Sequence, residues 1–392
     1  MLLYSVRRVA IPTQGAYQGL AVACRHGTSP NRSFATSQRF AKDKSDALRI
    51  LFCGSDDFSC ESLKALHAEH RRNKALVESV EVMVLPPKRM GRGNKKLAQL
   101  PCKELAEELG LTIHERKTFR DWTLPEGTNL VVAVSFGLFV PPRILSSARY
   151  GGLNVHPSLL PHLRGPAPIH HAYLRGDQHT GVSLQTLDPT AFDHGTILAQ
   201  TPAPGITMPE KQSFQDLKHY LAVGGARMLV QGLRDGVHVP PHKAAGWAPG
   251  PAEGEKLVHA PKTTKADLEI DWKAWKVDGI IRRLKVFGAA WSRAVVSSGK
   301  DKGASKRVLF IKAKAVKADA VAEIEAEERI IKFVDANEVE SDVKTKVDAT
   351  TGTCYFQDGE GSWIAMKKAK LEGSTGKEAT AALKPFLRAP ES

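Results

Sequence analysis

Apolar residues recur along this chain in three rhythms, and each predicts a different element. Continuous runs, Arg49-Ile50-Leu51-Phe52-Cys53 and Leu130-Val131-Val132-Ala133-Val134, lack polar alternation and predict strands buried on both faces. A helix from about Ser59 and a strand over 77–85 lie between them; strand, helix and strand in succession imply parallel pairing. Helical spacing from about Ser213 through Leu217, Leu221 and Met228 to Leu233 predicts a long amphipathic helix, and Ile280, Ile281, Leu284 and Phe287 predict another. A helix is also expected from Pro101 to about Gly110, and a strand over 197–200. Short β-type runs at 308–311, 355–357 and 363–366 predict a small β-barrel. Between the two patterned halves, Val239-Pro240-Pro241 through Gly254 has no period and predicts a linker. The division expected is a catalytic domain over 47–237, a linker over 238–256 and a second domain over 257–390.

Chemistry concentrates between Gly151 and Thr196. Asn154 and His156 stand two apart on a predicted strand, so their side chains share a face. Pro157, Pro161 and Pro166 then force a stiff loop at a strand end, the place where open parallel sheets bind ligands. A second rigid turn, Leu187 to Gly195, brings in Asp193. An amide donor, an ionisable ring and a carboxylate, with no activated Ser or Cys, suit attack by an external amine on a carbonyl. Asn154 and His156 would donate to the developing oxyanion, where one donor is worth about 3 kcal/mol; Asp193 would hold the imidazole charged or help remove a proton. Spacing alone leaves open that His156 is a packed structural histidine and Asn154 a turn cap.

Charge adds two features. The net charge is +14. Residues 1–42 carry Arg7, Arg8, Arg25, Arg32, Arg39 and Lys42 and no carboxylate, the composition of a mitochondrial presequence. Its removal lowers the net charge to +8. The loop Pro86 to Lys96 holds Lys88, Arg89, Arg92, Lys95 and Lys96 among flexible glycines, which suits contact with phosphates or equally a solvated turn. The turn Gly54-Ser55-Asp56-Asp57 has one glycine, so a dinucleotide fingerprint is not supported. Five scattered cysteines without a Cys-x-x-Cys pair fit neither a zinc site nor a disulfide framework. The apolar stretch near the start is too short and too charged to span a membrane.

The segment Asn154-Val155-His156-Pro157-Ser158-Leu159-Leu160-Pro161-His162-Leu163-Arg164-Gly165 resembles the signature of the formyltransferase family. Ala167-Pro168-Ile169, Thr180-Gly181-Val182 and Phe192-Asp193-His194-Gly195 fall where that family has its counterparts. Arg49 to Phe58, Arg89 to Leu97 and Ile270-Asp271-Trp272 are similar to the branch acting on methionyl-tRNA. The resemblance implies an α/β fold: a Rossmann-like catalytic domain with a mainly parallel sheet, followed by an OB-like β-barrel. It implies transfer of a formyl group from 10-formyltetrahydrofolate to methionyl-initiator tRNA by Asn154, His156 and Asp193. With the presequence composition of residues 1–42, the chain is expected to act without metal, as a monomer, in the mitochondrial matrix. The resemblance places Phe136, Leu138, Ser158, Leu159, Leu160, Pro161 and Leu187 at the folate, and Lys88, Arg89, Arg92, Lys95, Lys96, Arg282 and Arg283 at the tRNA. Another user of the same folate, or a non-catalytic RNA-binding relative, is the alternative. Two departures stand out: Gly288-Ala289-Ala290-Trp291 replaces the family's Asn-Pro-Trp-Pro, and an acidic, Ala-rich run over 319–328 is expected to be a surface excursion.

Overall fold

The apolar run after Leu48 becomes the middle of a seven-stranded sheet. A computed structural model describes residues 45–90, 96–98, 100–209, 212–250 and 256–390; the expected presequence lies outside them. The first lobe contains β1 (Leu48–Gly54), β2 (Val77–Val84), β3 (Lys88–Met90), β4 (Lys96–Ala98), β5 (Ile113–Glu115), β6 (Leu130–Val134), β7 (Gly152–His156), β8 (His179–Thr180), β9 (Ser183–Thr186), β10 (Ile197–Gln200) and β11 (Ile206–Thr207). The large sheet runs β10-β9-β7-β6-β1-β2-β5. Its five strands from β7 to β5 are parallel, and β9 and β10 turn antiparallel at one edge. β3 and β4 form a separate hairpin, as do β8 and β11 a small antiparallel pair.

Both faces of the sheet are covered, which is why its strands read as unbroken apolar runs. Ile50 and Phe52 pack with Leu63 and Leu66 of α1 (Asp57–Arg72), and below them come Leu217, Leu221 and Leu229 of the long predicted helix. Leu51 and Cys53 pack oppositely, against Phe119, Trp122, Phe136 and Ile144. Asp56 caps α1 by accepting from Ser59 N at 3.1 Å. α2 (Pro101–Glu108), α3 (Pro142–Ser147) and α4 (Pro168–Arg175) all begin on proline. α5 (Phe214–Arg234) begins at a Ser213 cap. The buried Glu69 of α1 takes Arg234 Nε of α5 at 3.0 Å, tying the two helices together.

The predicted linker is not a free spacer. His238 and Val239 are buried in the first lobe, with the His238 ring edge-on to Tyr150. Ala245 N donates to Ile197 O at 2.8 Å, and Trp247 donates to Gln200 Oε1 and Thr201 O. Prolines hold this stretch extended, and an extended chain can lie along the exposed edge of β10. Further on, residues 258–260 cross back as a strap: Leu163 N donates to Val258 O, and Ala260 N to Arg164 O, both at 2.7 Å.

The second lobe is a closed barrel. It begins with α6 (Val277–Phe287), followed by β12 (Ala290–Val295), β13 (Ser305–Val316), α7 (Ala318–Ala322), β14 (Glu327–Val334), β15 (Glu340–Asp348), β16 (Thr353–Gln357) and β17 (Trp363–Leu371). β18 (Lys377–Glu378) pairs with β17, α8 (Ala379–Leu383) plugs one side, and β19 (Leu387–Arg388) pairs with β14. The antiparallel order β12-β13-β17-β16-β15-β14 closes where Arg293 and Ala294 meet Val334 and Phe333. Trp272 stacks on Phe333 at 4.2 Å between ring centres and donates to Ser292 Oγ at 2.8 Å. The acidic run is more than an excursion. Val321 on α7 is buried against Tyr355 and Ala365, and Glu327 already belongs to a barrel strand. Residues from 43 onward are one compact unit. α4 and α6 join the lobes, with Arg282 Nε donating to Leu174 O at 3.1 Å and His171 Nε2 lying 2.9 Å from Pro261 O.

Candidate active site

β7 ends on the residues that carry the chemistry. Asn154 lies opposite Ala133 on β6 and opposite Gln185 on β9, at the carboxyl end of the parallel strands. Its Nδ2 donates to Ala133 O, and its Oδ1 accepts from Gln185 Nε2, both at 2.9 Å. The amide has a second hydrogen, which meets no acceptor among the described residues.

His156 is 5 % exposed. Its Nδ1 is 3.3 Å from Asp193 Oδ1, and its Nε2 is 3.0 Å from Leu163 O. Both neighbours are acceptors only, so the doubly protonated ring satisfies both contacts at once. The expected donation from His156 to an oxyanion meets a geometric obstacle: in this arrangement both ring nitrogens lie against acceptors within the protein.

Asp193 is held by three further contacts, from the loop at 164–165 and from β9. Gly165 N donates to its Oδ2 at 2.9 Å, Gln185 Nε2 to its Oδ1 at 3.2 Å, and Arg164 Nε to its main-chain oxygen at 2.8 Å. Burial pushes the carboxyl up, but the hydrogen bond and charge of His156, with the donors of Gly165 and Gln185, outweigh it and hold Asp193 below the ordinary carboxylate value. Leu163 and Asp193 both have φ of +58°, a left-handed backbone that a leucine adopts at a cost. Observed strain of this kind gathers at functional sites. Close approaches explain two glycines in the motif. A Cβ on Gly165 would lie 2.6 Å from Ala260 O, and one on Gly195 would lie 1.7 Å from Thr186 O.

The residues expected around folate fall into two groups. Leu138 and Leu187 are half-buried. Leu138 lines an open hollow of about 250 Å³ with Phe119, Arg120, Phe139 and Arg143. Leu159 and Pro161 are half-buried too. Phe136, Ser158 and Leu160, in contrast, turn inward. Phe136 packs edge-on to Phe119, Ser158 Oγ donates to His162 O, and Leu160 is tied by its backbone to Ser183 Oγ and Gln200 Nε2. These three build the scaffold under the loop and do not display side chains to a ligand. Ser183 and Gln200 on the neighbouring strands supply the polar partners that draw this loop inward.

The expected tRNA contacts divide similarly. Lys88, Arg89 and Lys96 lie on the β3–β4 hairpin, whereas Arg92 and Lys95 lie outside the described residues. Arg282 reaches across the lobe junction with its Nε on Leu174 O, and Arg283 donates from Nε to Asp267 O and from Nη1 to Gly279 O, so part of each guanidinium is engaged by backbone carbonyls. Exposed lysines do occur on the barrel, where Lys312 of β13 pairs directly with Lys368 of β17. A hollow of about 480 Å³ lies on the barrel beside Lys276 and Trp363 and contains none of the site residues. No group of three or more His, Cys, Asp or Glu among the described residues is arranged to hold a metal ion. No described helix is long and apolar enough to cross a membrane.

Gln185, Gly165 and Leu163 contact Asn154, His156 or Asp193, and none of them is assigned a role from the sequence alone. The only signal for Gln185 was its place in the strand after Thr180-Gly181-Val182, whose pairing with β7 no pattern reveals.

The sheet with this trio at its strand ends is the part of the chain that the formyl transferase family model matches, over residues 48–231. The methionyl-tRNA formyltransferase of Cereibacter sphaeroides is 36% identical over 255 residues, 62% of this chain and 77% of that protein. The mitochondrial methionyl-tRNA formyltransferase of Saccharomyces cerevisiae is 32% identical over 332 residues, 74% of this chain and 81% of that protein, and the mitochondrial one of Bos taurus is 35% identical over 242 residues, 61% and 57%. The chain belongs to the methionyl-tRNA formyltransferase family. A solved sugar 3N-formyl transferase, WlaRD, in the presence of dTDP and 5-N-formyl-THF, shares the fold at a TM-score of 0.50 and 12% identity, covering 84% of this chain and all of that one.

Proposed function

We propose that this chain transfers the formyl group of 10-formyltetrahydrofolate to the α-amine of methionyl-initiator tRNA, as a monomer in the mitochondrial matrix and with no metal in the reaction. The observation that carries the reading is the His156–Asp193 pair beside Asn154, in a chain whose relatives from bacteria, yeast and cattle bear this activity in their names.

Asp193 keeps the His156 ring charged. That charge, fixed in a place from which water is largely excluded, stabilises the oxyanion that forms when the uncharged amine attacks. Asn154 donates its remaining amide hydrogen to the same oxygen. The methionine nitrogen bonds to the formyl carbon, the bond from that carbon to the folate nitrogen breaks, and one proton passes from the entering nitrogen to the leaving one. Asp193 is a weak base in its present bonds, so its part in proton removal runs through water and through the His156 charge it maintains.

Leu138 and Leu187 offer apolar surface for a flat pterin, with Leu159 and Pro161 forming the near side of the loop. The β3–β4 hairpin follows β2, and its Lys88, Arg89 and Lys96 are cations we assign to the acceptor end of the tRNA. Like charges set directly opposite, as at Lys312 and Lys368, oppose strand pairing and are suited to a polyanion lying over them. The test is the chain with 10-formyltetrahydrofolate and charged initiator tRNA: formylmethionyl-tRNA is the expected product. Binding of tRNA without formyl transfer would overturn the catalytic reading.

A further inference from the structure

We infer that Gln185 is a positioning residue for the transfer: one amide nitrogen, shared between Asn154 and Asp193, fixes both the amide that donates to the reacting oxygen and the carboxylate that holds His156. The inference rests on the catalytic reading above. Gln185 is 1 % exposed, and its Nε2 lies 2.9 Å from Asn154 Oδ1 and 3.2 Å from Asp193 Oδ1. Both targets are oxygens without a hydrogen to give, so the amide must present its nitrogen to them, and each of its two hydrogens has one acceptor. Its own Oε1 is buried with no hydrogen-bond partner among the described residues. An orphaned buried acceptor is costly. Here it is the unavoidable counterpart of a nitrogen used twice, since turning the amide over would set oxygen against two oxygens.

The consequence for Asn154 is directional. With Oδ1 committed to Gln185 and one hydrogen to Ala133 O, the amide plane is fixed and its last hydrogen has a single direction. For Asp193 the consequence is electrostatic. The charged or titratable groups around it are His156 from β7, the Arg164 guanidinium at its main-chain oxygen from the site loop, and the adjoining His194, whose Nδ1 is turned to Phe192 O. Gln185 is the neutral donor from β9 that favours the ionised carboxylate in addition to these. A hydrophobic residue at 185 would fill the same space and supply neither bond.

The test uses the full chain with Gln185→Leu and Gln185→Glu, reading the Asp193 carboxyl by ¹³C NMR through a pH titration, alongside kcat, both KM values and the thermal midpoint. Gln185→Leu is expected to move the Asp193 titration up by on the order of one pH unit and to lower kcat about tenfold through misplacement. Both KM values should stay within about twofold, because no binding contact is lost. Gln185→Glu, nearly the same shape, sets a second carboxylate against Asp193 and should move the titration further in the same direction. That second variant carries the test if the leucine chain does not fold. An Asp193 titration that stays in place, with turnover lost only in step with thermal stability, reduces Gln185 to packing and overturns the inference. Full turnover in Asp193→Asn would instead remove the catalytic reading, and the titration of Asp193 would still report whether Gln185 holds it.

Discussion

The two lobes bury polar groups in opposite ways. Beneath the loop of the first lobe, His156, Ser158, Ser183 and Gln185 are all buried, and the side chain of each has a hydrogen-bond partner. Two non-glycine residues there, Leu163 and Asp193, have left-handed backbone. The barrel encloses a cluster of rings, Trp272, Phe310, Phe333 and Phe356, whose single buried indole N–H finds Ser292. A buried polar network is more expensive to assemble than an apolar core of equal volume and fixes orientation more strictly. The first lobe is thus specialised inside, at the site, and the barrel outside, at its cationic strands. Changes within the site network should impair turnover at little expense in stability, and changes within the barrel core should do the reverse.

The largest effect tests the first half of that contrast. His156→Ala should lower turnover by about 10² or more while tRNA affinity, read by filter binding, stays near that of the parent. Near-normal turnover would remove His156 from the chemistry. The second half is tested by Phe333→Ala, which opens a cavity beneath the Trp272 stack and should cost about 3–5 kcal/mol in urea unfolding. Whatever folded chain remains should show unchanged kcat on saturating substrate. A fall in kcat larger than the fall in folded fraction would mean that the barrel core reaches the chemistry, and the contrast would fail.

Gly165→Ala acts where the lobes meet, so it sharpens the comparison. Gly165 donates to Asp193 on one side, with φ of +118°, and faces the strap at Ala260 on the other. A methyl group there adds about 1–3 kcal/mol of strain and displaces the loop that supplies Leu163 O to His156. Both unfolding and kcat should suffer, with kcat down about tenfold. A stability loss without a change in kcat would separate the strap from the site.

These positions differ in how far the sequence exposed them. Strand alternation and the prolines and glycines of rigid turns singled out Asn154, His156 and Asp193, but the choice of catalytic over structural roles for them came from the resemblance to the formyltransferase signature. The buried strands 49–53 and 130–134 were legible from unbroken apolar runs, and 197–200 was legible as a strand, though not as the edge of the sheet. The barrel was only half legible. Strands β14 and β15 alternate charged residues with Ile331, Phe333, Val343 and Val347, and an Ala- and Glu-rich stretch before them masked the first. The linker misled, because Pro and Gly report a lack of periodicity but cannot report that an edge strand awaits the extended chain. Gln185 was invisible for a related reason: its role depends on which strand lies beside β7, a long-range fact absent from local pattern. Arg282 and Arg283 were charges on a helix, and only packing against Leu174 and Asp267 shows where their donors go.

The smallest expected effect concerns acid. Asp193 is held below its ordinary value of 3.8, so the unfolded chain takes up its proton at higher pH than the folded one. Its contribution to stability is therefore complete above that value and is lost as pH falls through the lower folded value. Asp193→Asn lacks this linkage. Below about pH 5 the stability difference between parent and variant should shrink as the solution is acidified, read from paired urea midpoints. Several other carboxylates are also held low, Glu69 and Asp348 among them, but they are common to both chains and cancel in the difference. A difference that grows on acidification would mean that burial dominates at Asp193, that the carboxyl is neutral when folded, and that His156 has no fixed counter-charge. The site's polar interior would then be as passive as the barrel's aromatic one.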